Sequence, residues 1–428
     1  MFFDLKSYLA GKHGGVYAPP ADLPSYLMGR KKSFRKEAYS FHLDKETAAI
    51  TYPAGSANEN FAPAKMTANG FDPGDWGGTF IMAQCRPCMQ KADLTVDYYL
   101  DPSDYTKKLD GTPSDIADPT YDGNAMVEFP KIYYYFESDD ETSESGTFYF
   151  ANYKVDDNYE CWCNYDANNN EIDHFYMSIY NGVILDGKLR SLSGYALTNA
   201  NGAGNTTAAE EQAAARANNQ TDKDEWFTWL ISDYGLLALM AALIGKSVDC
   251  QSTFGRGVDS GSQAAKEAYV TGTLNDKGLF WGNTSVGTQG VKLFGIENPY
   301  ALCWSRLAGL VGVSTGFKYK LTHGTADGST ATSFNLTGAG YIDLPTTKPA
   351  TGWVVTMLFQ PNGFWIPHTT GSKNLFKVYY YNGNGYALVG GSARAGAQGG
   401  FWYVNLGAAA GYRYWNIAAR LSSKPLAR

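Results

Sequence analysis

YALVGGSARAGAQGGFWYVNLGAAAGYRYWNIAARL, residues 386–421, carries no acidic residue and few long flexible side chains. Aromatics and Arg stand among Gly, Ala and Ser, and the apolar positions recur with a two-residue period. In FWYVNL, Trp402, Val404 and Leu406 share one face, while Phe401, Tyr403 and Asn405 share the other. In YWNIAARL, Trp415, Ile417, Ala419 and Leu421 point one way, and Tyr414, Asn416, Ala418 and Arg420 the other. Alternation of this kind marks strands with one face in a core and one facing outward. A plain solvated face would carry Lys, Glu and Thr. Tyr, Trp and Arg anchors set among Ser, Gly and Asn are the chemistry of a binding surface, where rigid rings give contact area at low entropic cost.

The rest of the chain supports a β-rich body. Among 428 residues, Tyr (31), Phe (22) and Gly (47) are abundant and charged residues make up 18%, a composition suited to short strands and long loops. The net charge of −7 is unevenly spread: no Asp or Glu follows Asp343, whereas Lys348, Lys373, Lys377, Arg394, Arg413, Arg420, Lys424 and Arg428 do. A mildly basic end favours an anionic or polar partner. The basic residues are dispersed rather than clustered, which argues against nucleic acid. The start, MFFDLKSYLAGKHGG, lacks the pattern of a secretory signal, and the apolar run 236–244 is too short to span a bilayer. The expectation is synthesis in the cytoplasm without a signal peptide and no membrane insertion.

Along the chain, residues 1–75 are punctuated by Gly and Pro, with basic runs at Arg30-Lys31-Lys32 and Arg35-Lys36, and read as an attachment or oligomerisation region. Residues 76–125 read as a β-rich connecting segment. FPKIYYYFES and GTFYFANYKV form a predicted β-hairpin around a polar turn. Thr207-Ala-Ala-Glu210 is a capping-box pattern ahead of a helix running to Ala217. Thr221 to Asp224 is read as capping a second helix from Glu225 through Ile244, with an apolar face broken at Asp233. Further strands are expected at residues 341–344 and 353–359. The six cysteines include CRPC (Cys85, Cys88) and CWC (Cys161, Cys163). These offer four thiolates to zinc, but C-x-C is poor metal spacing, and buried free thiols are the preferred reading.

Four segments, MVEFP (126–130), LFGIENPYALCW (293–304), Gly390-Gly391 and NIAAR (416–420), resemble in order and spacing the C-type-lectin-type fold in its formylglycine-generating-enzyme/sulfatase-modifying variety. The chain departs from that pattern at Ala301-Leu302, where Gly-Asn is usual, at Ser392-Ala393, where a Trp often follows, and at Ala418, where Gly is usual. The implied fold is α+β, with short strands, two helices and long loops over residues 126–428 behind a small β-rich N-terminal region. CRPCM, TVDYYLDPSDYTKK, DGNAMVEFPKIYYY, KVDDNY, LRSLSGYA, LNDKGLFWGN, YALVGG and LSSKPLA are similar to tail or minor structural proteins of gut-bacterial phages and prophages. Some proteins of that C-terminal architecture are variable proteins of diversity-generating retroelements. In these, asparagine codons become Tyr, Arg, Phe, Ala, Gly, Ser, Asn or Asp, but not Trp or Gln.

The resemblance implies a diversified face at about 379–420. Joined to the strand reading, it selects Tyr381, Asn384, Ala393, Arg394, Phe401, Tyr403, Asn405, Gly407, Ala408, Tyr412, Arg413, Tyr414 and Asn416 as ligand-binding residues. The expected role is a phage receptor-binding protein in the virion tail. It would bind a host bacterial surface receptor, protein or glycan, beside other tail proteins, as the homotrimer the family implies. No cofactor, metal or catalytic residue is expected. Sulfatase-modifying oxidases use cysteines late in the domain, whereas no Cys follows Cys303 here. Depolymerase chemistry needs paired carboxylates or a nucleophile with its His, and the five histidines fall in no such motif. A calcium-dependent lectin loop is out of order at Glu297-Asn298-Pro299, and Trp415-Asn416 lacks a following Asp. A tail or baseplate protein that contacts only other phage components is the competing expectation.

Overall fold

The computed structural model describes residues 38–427 except 45, 140–144, 198–205, 222–224, 262–268, 314–315, 321–340, 345–351, 360–364, 371–376 and 381–384. The architecture is mixed α+β, dominated by strands in three main sheets, with few helices. The basic runs before residue 38 lie outside the described residues.

The first sheet has four antiparallel strands in the order Ile50–Thr51, Tyr39–Leu43, Gly146–Ala151 and Tyr133–Ser138. The expected hairpin is its last pair. Alternate residues point the same way, so Phe148 and Phe150 reach one face together and pack on Phe41 with ring centroids 5.1 and 6.0 Å away. The second sheet has seven strands: Trp226–Thr228, Leu421–Ser423, His174–Ser178, Gly123–Pro130, Arg86–Lys91, Val96–Asp101 and Asp104–Lys108. Pairing in these two sheets crosses both expected domain boundaries. Tyr39–Leu43 bonds to Gly146–Ala151, and Arg86–Lys91 bonds to Gly123–Pro130.

The third, nine-stranded sheet carries the C-terminal stretch. Its path is Tyr341–Leu344, Gly316–Lys320, Trp304–Val313, Gly385–Gly390, Gly400–Ala408, Lys377–Tyr380, Gly352–Phe359 and Trp365–Thr370, and Ile417–Ala418 runs parallel beside Trp304–Val313. The strands expected at 341–344 and 353–359 are present.

Both capping-box groups are made in the Ala208–Arg216 helix: Thr207 Oγ1 accepts from Glu210 N, and Glu210 Oε2 accepts from Thr207 N at 2.7 Å. The second helix differs from expectation. It spans Ile231–Gly245, and Trp226–Thr228, read as its first turn, is a strand. Tertiary pairing outweighs local propensity there. Residues 226–228 hydrogen-bond to Leu421–Ser423, and the Trp226 indole donates to Ala92 O at 3.0 Å. The helix has no polar face. Nearly all of ISDYGLLALMAALIG is buried, as expected of a helix apolar all round. Asp233, fully buried, is held by Lys424 Nζ at 3.1 Å.

All six cysteines are buried free thiols. The CRPC and CWC pairs do not converge on one point: Cys85 and Cys163 lie in the main core, Cys88 packs by Met126 and Trp226, and Cys161 packs by Tyr133 and Tyr165. Burial pushes up the thiols of Cys85, Cys88, Cys161, Cys163 and Cys250, Cys161 and Cys250 to about 12, so these are poor nucleophiles. No helix among the described residues is long and apolar enough to cross a membrane.

Candidate ligand-binding face

The Gly400–Ala408 strand does not alternate along its whole length. Pairing with the neighbouring strand passes from Val389↔Val404 directly to Gly390↔Gly400, so residues 401–403 face no partner on that side. Such a bulge breaks the two-residue period. Phe401, expected outward, is fully buried. Its ring lies 5.8 Å from Tyr234 and 5.1 Å from Tyr300, and its carbonyl accepts from Tyr234 OH at 3.0 Å. Trp402 faces the same core, 4.4 Å from Trp365. Tyr403, also expected outward, is 9% exposed and packs edge-on against Trp304 at 4.5 Å. Ala393, a third expected surface residue, is buried beside Leu302, Cys303 and Ala418. The preceding turn places it there: Gly390 and Gly391 both adopt positive φ (88° and 82°), and Ala393 N bonds to Leu302 O at 3.1 Å.

The pairing slips a second time between Leu388↔Asn405 and Tyr386↔Ala408, and there six expected residues meet around one concavity of about 380 Å³. Trp304, Leu388 and Ile417 form its apolar floor. Asn405, Gly407 and Ala408 line it from the strand end, and Tyr412, Tyr414 and Asn416 from the following loop. Tyr412 and Tyr414 are 45% and 41% exposed, and their rings stack at 5.8 Å with 26° between planes. Asn405 Oδ1 accepts from Gly407 N at 2.7 Å, and Asn416 Nδ2 donates to Ser392 Oγ at 3.3 Å, so both carboxamides have a fixed pose. Tyr381 and Asn384 lie outside the described residues.

The loop is held from beneath by the capped helix. Ala208 N donates to Ala410 O at 2.9 Å. Buried Arg306 pairs with buried Glu211 at 2.5 Å and donates to the Tyr412 carbonyl. Glu210, whose Oε2 closes the capping box, offers Oε1 to Arg413 at 2.8 Å. Hydrogen bonds from Thr207, with the Arg413 charge beside them, hold the Glu210 carboxyl below its ordinary range. Sequence reasoning singled out the capping box without its link to this loop, and missed Arg306, Glu211, Leu388 and Ile417 as parts of the site. Only long-range pairing brings them together.

Two of the basic residues of the C-terminal end, Arg420 and Lys424, are spent inside the molecule. Arg420 is fully buried and donates to the carbonyls of Glu297 and Asn298; burial holds it down to about 10. Lys424 is 1% exposed on Asp233, and Arg413 is paired with Glu210. Arg394 is exposed, with its guanidinium 5.2 Å from the Trp415 ring centroid.

A second concavity, of about 500 Å³, lies between residues 94–96, 171–176 and 425–427 and contains no expected site residue. Its polar groups are engaged: Tyr176 OH and Arg86 hold Glu128, Lys131 lies 3.1 Å from Asp173, and Tyr133 OH donates to Glu171 at 2.9 Å.

No family model and no curated protein matches the chain. Among solved structures, it is similar to "Major Tropism Determinant U1 Variant" at 10% identity and a TM-score of 0.30, and to "Major Tropism Determinant M1 Variant" at 11% and 0.29. Each likeness covers 92% of this chain and 97% of the other. The similarity to "Major Tropism Determinant P3c Variant" has the same coverage, with 10% identity and a TM-score of 0.28.

Proposed function

We propose that the chain is a receptor-binding tail protein of a phage, displaying a diversified C-terminal face on a C-type-lectin-type scaffold of the formylglycine-generating-enzyme variety. It works by binding rather than catalysis, as a homotrimer on the virion, with a host bacterial surface receptor as partner. The observation that carries this reading is the pair of stacked, half-exposed tyrosines, Tyr412 and Tyr414, above an apolar concavity. Exposed aromatics beside a hollow are the usual anchors of an interface. The loop that bears them is fixed through the backbone carbonyls of Ala410 and Tyr412, which accept from buried Ala208 and Arg306. Its side chains can therefore change while its backbone stays in place, which is what a replaceable binding surface requires.

The reading is tested by Tyr412→Ala, Arg413→Ala and Tyr414→Ala combined, with Phe401 and Tyr403 left intact because their loss would empty the core. Virions that assemble normally but fail to adsorb to host cells support it. Failed assembly with normal folding of the isolated chain would assign the face to a contact between tail proteins.

A further inference from the structure

The chemistry of the concavity narrows what it holds. Among the described residues, no Asp, Glu, Lys or Arg lines it. Nearby cations are committed: Arg306 to Glu211, Arg413 to Glu210, and Arg394 over the Trp415 ring. A charged ligand would give up hydration and find no opposite charge in return. The polar groups on offer are neutral and half used. Asn405 spends Oδ1 on Gly407 N and presents Nδ2 as a donor, while Asn416 spends Nδ2 on Ser392 and presents Oδ1 as an acceptor. One fixed donor and one fixed acceptor beside a tyrosine platform suit hydroxyl groups, which both give and receive, on a ring with an apolar C–H face.

The sheet disfavours the main alternative, an extended peptide. Gly400–Ala408 is paired on both sides, by Gly385–Gly390 and Lys377–Tyr380. Gly385–Gly390 lies between Trp304–Val313 and Gly400–Ala408, and Trp304–Val313 pairs in turn with Gly316–Lys320 and Ile417–Ala418. Among the described residues, the strand that bears Leu388 is paired on both sides, so an extended peptide finds no open edge there to join as an added strand. Resting on the binding role proposed above, we infer that the concavity takes an uncharged saccharide, one or two pyranose rings seated against Tyr412 and Tyr414, without a metal ion.

The test is saturation-transfer NMR on the full chain with methyl β-D-glucopyranoside and methyl N-acetyl-β-D-glucosaminide, and a sialic acid methyl glycoside as the charged counterpart. Transfer to the neutral rings is expected, unchanged by EDTA or added NaCl. Affinity should fall on the order of tenfold or more in Tyr412→Ala/Tyr414→Ala, the loss typical of an aromatic anchor. Asn405→Asp keeps the acceptor for Gly407 N while removing the donor, and is expected to weaken binding with unchanged melting. Preference for the sialoside with loss in NaCl, or neutral binding that survives the double variant, would overturn the inference. If no neutral glycan on a broad array binds while the loop variant still abolishes adsorption, the saccharide falls and the receptor role stands. If adsorption survives the loop variant, the receptor role falls, and the saccharide is judged by the NMR result alone.

Discussion

The rings around Phe401 and those of Tyr412 and Tyr414 come from one stretch of sequence and read alike in it, yet the first set is sealed and the second open. Phe401 is fully buried against Tyr234 and Tyr300, while Tyr412 is 45% exposed. Composition does not separate them; hydrogen-bond pairing does. Where the strand slips past its neighbour at residues 401–403, rings expected outward turn inward. Where pairing ends after Ala408, the chain rises into a loop and its rings stay in solvent. The same division runs through the ion pairs. Lys424 and Asp233 meet at 1% and 0% side-chain exposure, Arg413 and Glu210 at 50% and 47%.

Substitutions on the two sides of this division should differ most at the rings. Phe401→Ala empties a core site and is expected to cost about 4 kcal/mol in denaturant unfolding. An effect below about 1 kcal/mol would mean that the region collapses to fill the space. Lys424→Met leaves Asp233 buried without its counter-ion and should cost about 3 kcal/mol, whereas Glu210→Ala, on the exposed pair and the helix cap, should cost about 1 kcal/mol. Equal losses would show that the inner pair is solvated.

Glu211→Gln keeps an acceptor for Arg306 but removes its charge, with an expected loss of about 2 kcal/mol. Because Arg306 also holds the Tyr412 carbonyl, trypsin should then cut after Arg413 faster than in the parent at equal folded fraction, read by mass spectrometry of the fragments. Unchanged cleavage would mean that the loop does not depend on this support.

Lys292 gives a pH-dependent contrast. Burial holds its ammonium down to about 7 against the opposing pull of Glu297. Between that value and the ordinary lysine range the unfolded chain binds more protons than the folded one at this residue. Its contribution to stability therefore rises with pH over that window. The difference in Tm between the parent and Lys292→Met should move in the parent's favour as pH increases from about 7, and a flat difference would contradict the shift. Tyr412→Ala and Tyr414→Ala should change stability least, within about 0.5 kcal/mol each.

The parts of the fold legible in the sequence were those decided locally. The Thr207–Glu210 cap, the hairpin of Tyr133–Ser138 with Gly146–Ala151, and the strands near 341 and 353 follow from short-range pattern. Errors arose where distant chain intervenes. Trp226–Thr228 looked helical, but Leu421–Ser423 recruits it as a strand. Phe401 and Tyr403 were misplaced by a bulge that depends on the register of Gly385–Gly390. The codon criterion and the alternation agreed on Asn405 and Asn416, and the codon criterion added Gly407, Ala408, Tyr412 and Tyr414; these six meet around the concavity. Arg306 and Glu211 carried no local mark, because their role exists only once a helix and a strand far apart in sequence are packed together.

Leu421–Ser423 comes after the exposed loop in the chain but lies inside the seven-stranded sheet, between Trp226–Thr228 and His174–Ser178. A sheet that receives an inner strand this late cannot be completed on the ribosome before the loop has been translated. Replacing a side chain anywhere in residues 405–416 leaves that strand intact. Inserting or deleting a single base there changes the reading frame and erases the strand. The fold thus separates two kinds of change in residues 405–416: an in-frame replacement keeps the late inner strand in the chain, and a frame error leaves the sheet without it.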